Sequence, residues 1–155
     1  MTSTPRTAVI GLGNEYRRDD GFGPAVIRAL DGRLPSTTTV LTVDDTVDLL
    51  AAWAGMRSVI VVDLVLRTRP RPGRLHRWAV GDAPGVLGSH GTDPSAALAL
   101  ARVLGTAPGR VVVYAVEGTD VGFGVGLSPA VRRAVAVATR AIVAETRHPP
   151  PVGDE

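Results

Sequence analysis

The chain has 155 residues, 45% of them hydrophobic, which suits one globular domain with a sizeable core. Its formal charge is only +2, and the basic side chains are all arginine, scattered without a dense stripe and accompanied by 4% aromatics, so a nucleic-acid partner is disfavoured. No cysteine is present, which excludes disulfide frameworks, thiolate metal sites and cysteine nucleophiles.

In chain order, β-branched runs alternate with longer Ala/Leu segments. The stretch "TAVIGLG" (7–13) reads as a buried strand running into a glycine-rich loop, and "GPAVIRALDGRL" (23–34) as an amphipathic helix with Pro24 near its first turn. A second strand is expected over 39–45 and a second helix over 46–55, with Thr46 as N-cap and Gly55 as stop. The near-continuous apolar run 58–66 suits a central parallel strand, whereas 73–80 alternates and suits a strand exposed on one face. A helix over 93–105 is capped by Asp93, a buried strand follows at 110–116, and a last helix at 128–147 opens on a Ser–Pro pair.

This alternation predicts an α/β three-layer sandwich: a mostly parallel, twisted sheet of about five strands with helices on both faces. Residues 1–147 form the single domain expected, and the Pro-rich segment 148–155 a flexible tail. The N-terminus has no long apolar run after its charge, so neither a signal peptide nor a membrane span is expected, and the expected location is cytoplasmic.

Ligands in such sheets bind beyond the carboxyl ends of the strands. Three segments there carry polar side chains: the loop "GLGNEYRRDDGFG" (11–23) with Asn14, Asp19 and Asp20; the strand 58–66 with Asp63; and "GDAPGVLGSHGTD" (81–93) with His90. Carboxylates converging at one edge repel unless a cation lies between them, and an added imidazole makes the set suited to nickel or zinc. Asp20, Asp63 and His90 are therefore the candidate metal ligands, leaving positions open for substrate or water.

Each residue also has a plainer reading. An aspartate at a strand end is most often a cap or loop anchor, and either Asp19 or Asp20 suits the free N–H groups of the following helix. His90 reads equally well as a solvated loop residue, His76 as a strand-face residue and His148 as part of the tail. Glu117 and Asp120 either extend the acidic site or serve their loop. Phosphate is the rival ligand, since the glycines allow close backbone approach. However, Tyr16 stands where a dinucleotide fingerprint needs its third glycine, and the paired aspartates repel phosphate.

The stretch "GLGNEYRRDDGFGPAVIRAL" resembles the N-terminal signature of the nickel–iron hydrogenase maturation endopeptidases. That signature runs Gly-x-Gly-Asn, a short variable stretch, two acidic residues, then Gly-x-Gly. The likeness continues through the strand with Asp63, "GSHGTD" around His90 and "GVGLSPAV" (124–131), spanning about Ala8 to Ala144. It implies a cytoplasmic, monomeric hydrolase that cuts a C-terminal peptide from the nickel-loaded precursor of a hydrogenase large subunit. Asp20, Asp63 and His90 are then the metal-binding and catalytic positions, and nickel arrives with the precursor. The metal either polarises the scissile carbonyl, activates a water or serves as a recognition handle. No nucleotide cofactor, nucleic acid or membrane is implied.

The alternatives are a nickel-checkpoint or chaperone module that docks the precursor without cutting it, and a small nucleotide-binding α/β domain. One departure stands out: in "VDDTVDLL" (43–50) Asp45 occupies a position where the family pattern has glycine, in a shortened segment implicated in substrate choice.

Overall fold

The computed structural model describes residues 6–80 and 93–148, which contain every strand and helix expected from the sequence. β1 (Thr7–Leu12) leads through a 3-10 helix (Arg18–Gly21) into α1 (Phe22–Ala29) and β2 (Thr38–Val43). There follow α2 (Thr46–Trp53), β3 (Ser58–Val65), β4 (Leu75–Ala79), α3 (Pro94–Leu104), β5 (Arg110–Glu117) and α4 (Pro129–Arg147).

The sheet order is β2-β1-β3-β5-β4, parallel throughout except for the antiparallel edge pair β4–β5. Its two sides bury different halves of each strand, because successive side chains point to opposite faces. Val59, Val61 and Val65 of β3 pack with Leu49 and Trp53 of α2 and Ala97, Leu98 and Ala101 of α3. Ile60, Val62 and Leu64 pack with Phe22 and Val26 of α1 and Val131, Ala134 and Ile142 of α4. A strand apolar on both faces is thus explained by a helical layer on each side.

Local chemistry sets the ends of the helices, with two differences from expectation. α1 stops at Ala29, short of residue 34, because Gly32 takes φ 70° and Leu34 precedes a proline that disfavours helical backbone. The cap of α2 is Asp45, whose carboxylate accepts the Asp48 N–H at 2.8 Å, and Thr46 is the first helical residue. The aspartate that departs from the family pattern thus anchors a helix. α3 is capped as expected, Asp93 accepting from Ser95 N–H at 2.9 Å.

The strand order reverses direction between β1 and β3: α1 carries the chain from β1 to β2 on one face, and α2 carries it back across to β3 on the other. A crevice at the carboxyl ends of those two strands is the usual ligand position in open sheets. Gly23 lets the start of α1 sit tightly against it. A Cβ there would lie 2.3 Å from the Leu12 carbonyl oxygen and 2.9 Å from that of Val62.

Elsewhere in a helix, replacing glycine by alanine stabilises by about 1 kcal/mol. At Gly23 the opposing atoms are backbone of two central strands, so the clash wins. Gly23→Ala is expected to cost about 2–3 kcal/mol, lowering Tm by roughly 5–10 °C. A melt at or above the wild-type temperature would show that the strands yield.

Candidate active site

Asp20 lies in the 3-10 helix after β1, and Asp63 near the end of β3, so both stand at the reversal of strand order. Each is only 1% exposed. The Asp20 carboxylate accepts the Asn14 N–H at 3.0 Å, and Asp63 Oδ1 accepts the Leu64 N–H at 2.7 Å. Asn14 in turn folds its own loop by accepting the Tyr16 N–H at 2.9 Å. Gly13 gives the loop room to close: at φ 136° it brings the Asp20 carbonyl oxygen to 2.0 Å from where a Cβ would stand. The structure therefore brings two of the three candidate ligands to one end of the sheet. His90 falls outside the described residues.

Asp19, the other half of the acidic pair, has a different task. Fully buried, it accepts the Ser128 N–H at 2.7 Å, the Ser128 hydroxyl at 3.1 Å, and the Thr119 and Asp120 N–H groups at 3.1 Å each. It caps neither α1 nor the 3-10 helix. Ser128, at the N-cap position of α4, directs its hydroxyl to Asp19 instead of capping its own helix. Burial pushes the Asp19 carboxyl upward, but the bonds from Ser128, Thr119 and Asp120 outweigh it and hold the group below the usual aspartate range.

Backbone bonds reinforce this clamp between the loop after β1 and the loop after β5. Arg18 N–H donates to the Gly124 carbonyl at 2.9 Å, Gly124 N–H to the Tyr16 carbonyl at 2.9 Å, and Asp19 N–H to the Asp120 carbonyl at 2.9 Å. Within this bracket Arg18 sits at φ 49°, a left-handed conformation costing roughly 1–2 kcal/mol outside glycine.

A fourth buried acid lies at the end of β5. Glu117, the last residue of β5, is 2% exposed, lies 2.7 Å from His76 Nε2 on β4 and accepts the Arg71 N–H at 3.0 Å. Burial raises its pKa; the His76 and Arg71 hydrogen bonds and the nearby Arg67 guanidinium outweigh that and lower it below the usual range. The paired role of His76 and Glu117 escaped the sequence reading. The signal was present, since Glu117 ends an apolar run as Asp63 does, but nothing in the sequence set β4 beside β5. Asp120 belongs to its loop, accepting the Gly122 N–H at 2.9 Å with its carboxylate 3.5 Å from Arg18 Nε.

Comparison with known proteins falls in line with this geometry. Residues 27–145 match the family model described as hydrogenase maturation protease, HycI. The hydrogenase expression/formation protein HupD of Thiocapsa roseopersicina is 28% identical over 144 residues, covering 87% of this chain. The chain spans 65% of the length of that relative. Among solved structures, the hydrogenase maturating endopeptidase HybD from E. coli superposes with a TM-score of 0.78 at 22% identity, covering 92% of each chain. HybD from Thermococcus kodakarensis gives 0.75 at 21% identity, covering 91% of this chain and 99% of its own. At these identities the structural likeness establishes the fold.

The clamp makes a test of its own. Asp19→Asn keeps the shape but turns an acceptor edge into an amide donor facing N–H groups, so a loss of about 2–4 kcal/mol is expected in urea melts at neutral pH. Because the folded pKa is depressed, the stabilisation is complete above the ordinary aspartate range, about 4. It is lost as pH falls through the lower folded value. The variant should therefore show a shallower acid slope in that window. Wild-type stability in Asp19→Asn would mean that the clamp contributes nothing.

Proposed function

Because the chain belongs to the hydrogenase maturation protease family, we propose that it is an endopeptidase that removes a C-terminal peptide from the precursor of a nickel–iron hydrogenase large subunit. Nickel enters as cargo of that precursor, and Asp20, Asp63 and His90 are the groups that meet it. The observation that carries this reading is the pair of nearly fully buried carboxylates, Asp20 and Asp63, at the reversal of strand order.

Carboxylate oxygens joined by an imidazole form a donor set suited to nickel. The ion's chemistry there is that of a Lewis acid acting on a carbonyl or a water. The chain's own contribution is to hold the donors still. Asp63 stands on a strand with neighbours on both sides, and the Leu64 amide holds one of its oxygens. Asp20 follows a clamp fixed at Asp19, and the Asn14 amide holds one of its oxygens. Such bracing fixes the orientation of each carboxylate before any ion arrives. Among the described residues no helix is long and apolar enough to cross a membrane, and action in the cytoplasm as a monomer belongs to the same reading.

Incubating the protein with nickel-loaded precursor and weighing the product by mass spectrometry tests the proposal. Loss of a C-terminal peptide is the expected result; an unchanged mass with a stable complex would favour a docking module. Asp63→Asn and Asp20→Asn each remove one anionic ligand, and processing is expected to fall at least about 100-fold. His90→Ala leaves both carboxylates, so a trace of processing should persist at high nickel. The fold should survive in all three, and relief of carboxylate repulsion favours the nickel-free protein. Normal processing by Asp63→Asn would sink the mechanism, and a collapsed melt would assign Asp63 a structural task instead.

A further inference from the structure

The two edges of the sheet are defended unequally. β4, at one edge, carries His76 and Arg77, engaged by Glu117 and Glu145. β2, at the other, reads "TTVLTV": six residues without a charge, a proline or a glycine. Among the described residues β1 is its only strand neighbour. Natural sheets blunt an open edge with charges, prolines or bulges, and an unblunted edge is a template for another extended chain.

The direction of the β2 peptide groups follows from two bonds. Val43 gives its carbonyl to Gly13 N–H of the chain leaving β1, and the Thr38 N–H turns to the Pro35 carbonyl. Alternation along a strand then faces the N–H and C=O groups of Val40 and Thr42 away from β1. Their side chains are exposed as well, Val40 at 37%. They lie beside two grooves of about 660 and 570 Å³ that share Ile27 and Arg28 of α1. The first includes Thr38 and Val40; the second includes Thr42 and continues to Asn14 and Tyr16 beside the buried carboxylates.

We propose that the C-terminal segment of the precursor docks as an added strand on β2, with Val40 and Thr42 supplying the backbone pairing and the α1 groove receiving alternate side chains. This rests on the function proposed above and names where that substrate is held. Extended-chain pairing accounts for affinity with little dependence on sequence, and the pockets beside the edge supply selection. Charge also marks the occupant. Where β2 ends, the exposed carboxylates of Asp44, Asp45 and Asp48 lie within 4.8 Å of one another. A basic side chain of the docked segment answers that charge as it passes toward Asp20.

The test uses the intact protein and the nickel-loaded precursor. Hydrogen exchange is followed by NMR in the Asp63→Asn protein, with and without precursor. Val40 and Thr42 amides, which face away from β1 and have no strand partner among the described residues, should slow at least about tenfold in the complex. Val40→Lys places an edge charge on an exposed position, and Val40→Pro removes an outward N–H without touching the ladder to β1. Each should raise KM about tenfold, with kcat and the melting temperature close to wild type.

Unchanged KM in both variants, or unprotected Val40 and Thr42 amides in a complex that forms, overturns the docking while leaving the protease reading intact. Protection without any cleavage by wild type upholds the docking and refutes the protease reading. Neither protection nor cleavage refutes both.

Discussion

One buried carboxylate holds together the end of this molecule that carries the candidate ligands. Asp19 is fully buried, and a charge there is tolerated only because N–H groups from Thr119, Asp120 and Ser128, with the Ser128 hydroxyl, surround it. Those donors come from the loop after β5 and the entrance to α4, whereas Asp19 itself follows β1. A single side chain thus joins segments about a hundred residues apart. The peptide group beside it carries Asp20, so the position of one candidate ligand is inherited from the satisfaction of its neighbour.

Two adjacent aspartates thereby take different places in the fold. Their side chains leave the 3-10 helix in different directions: Asp19 toward α4, Asp20 toward the turn at Gly13 and Asn14. Glycines make the arrangement possible by admitting backbone where a Cβ would collide, at Gly13 beside Asp20 and at Gly23 against β1 and β3. The acidic pair and the flanking glycines are consequently one device, in which close packing of the backbone sets the charge.

Much of this was legible in the sequence, for definite reasons. Apolar runs bounded by glycine and proline marked the five strands, and helical spacing marked the four helices, because both patterns record burial directly. Asp63 was legible as a polar residue inside an apolar run. The division of labour between Asp19 and Asp20 was not, since it depends on Ser128 lying across the fold. The same holds for Glu117 and His76, joined by an antiparallel pairing of β4 with β5 that no local pattern announces. The α2 cap was misplaced by one residue because Asp45 and Thr46 are both competent caps, and backbone geometry chose between them.

The separation of the core into two layers has an optical consequence. Both tryptophans lie on one side of the sheet: Trp53 buried in the α2/α3 layer and Trp78 packed against it. The α1/α4 layer holds Phe22 and Tyr114 instead. Tryptophan emission therefore senses packing on one face, while far-UV ellipticity averages over both. Denaturation curves from the two signals coincide only when the layers come apart together. The molecule thus carries a built-in comparison that reports whether its two faces unfold as one unit or in succession.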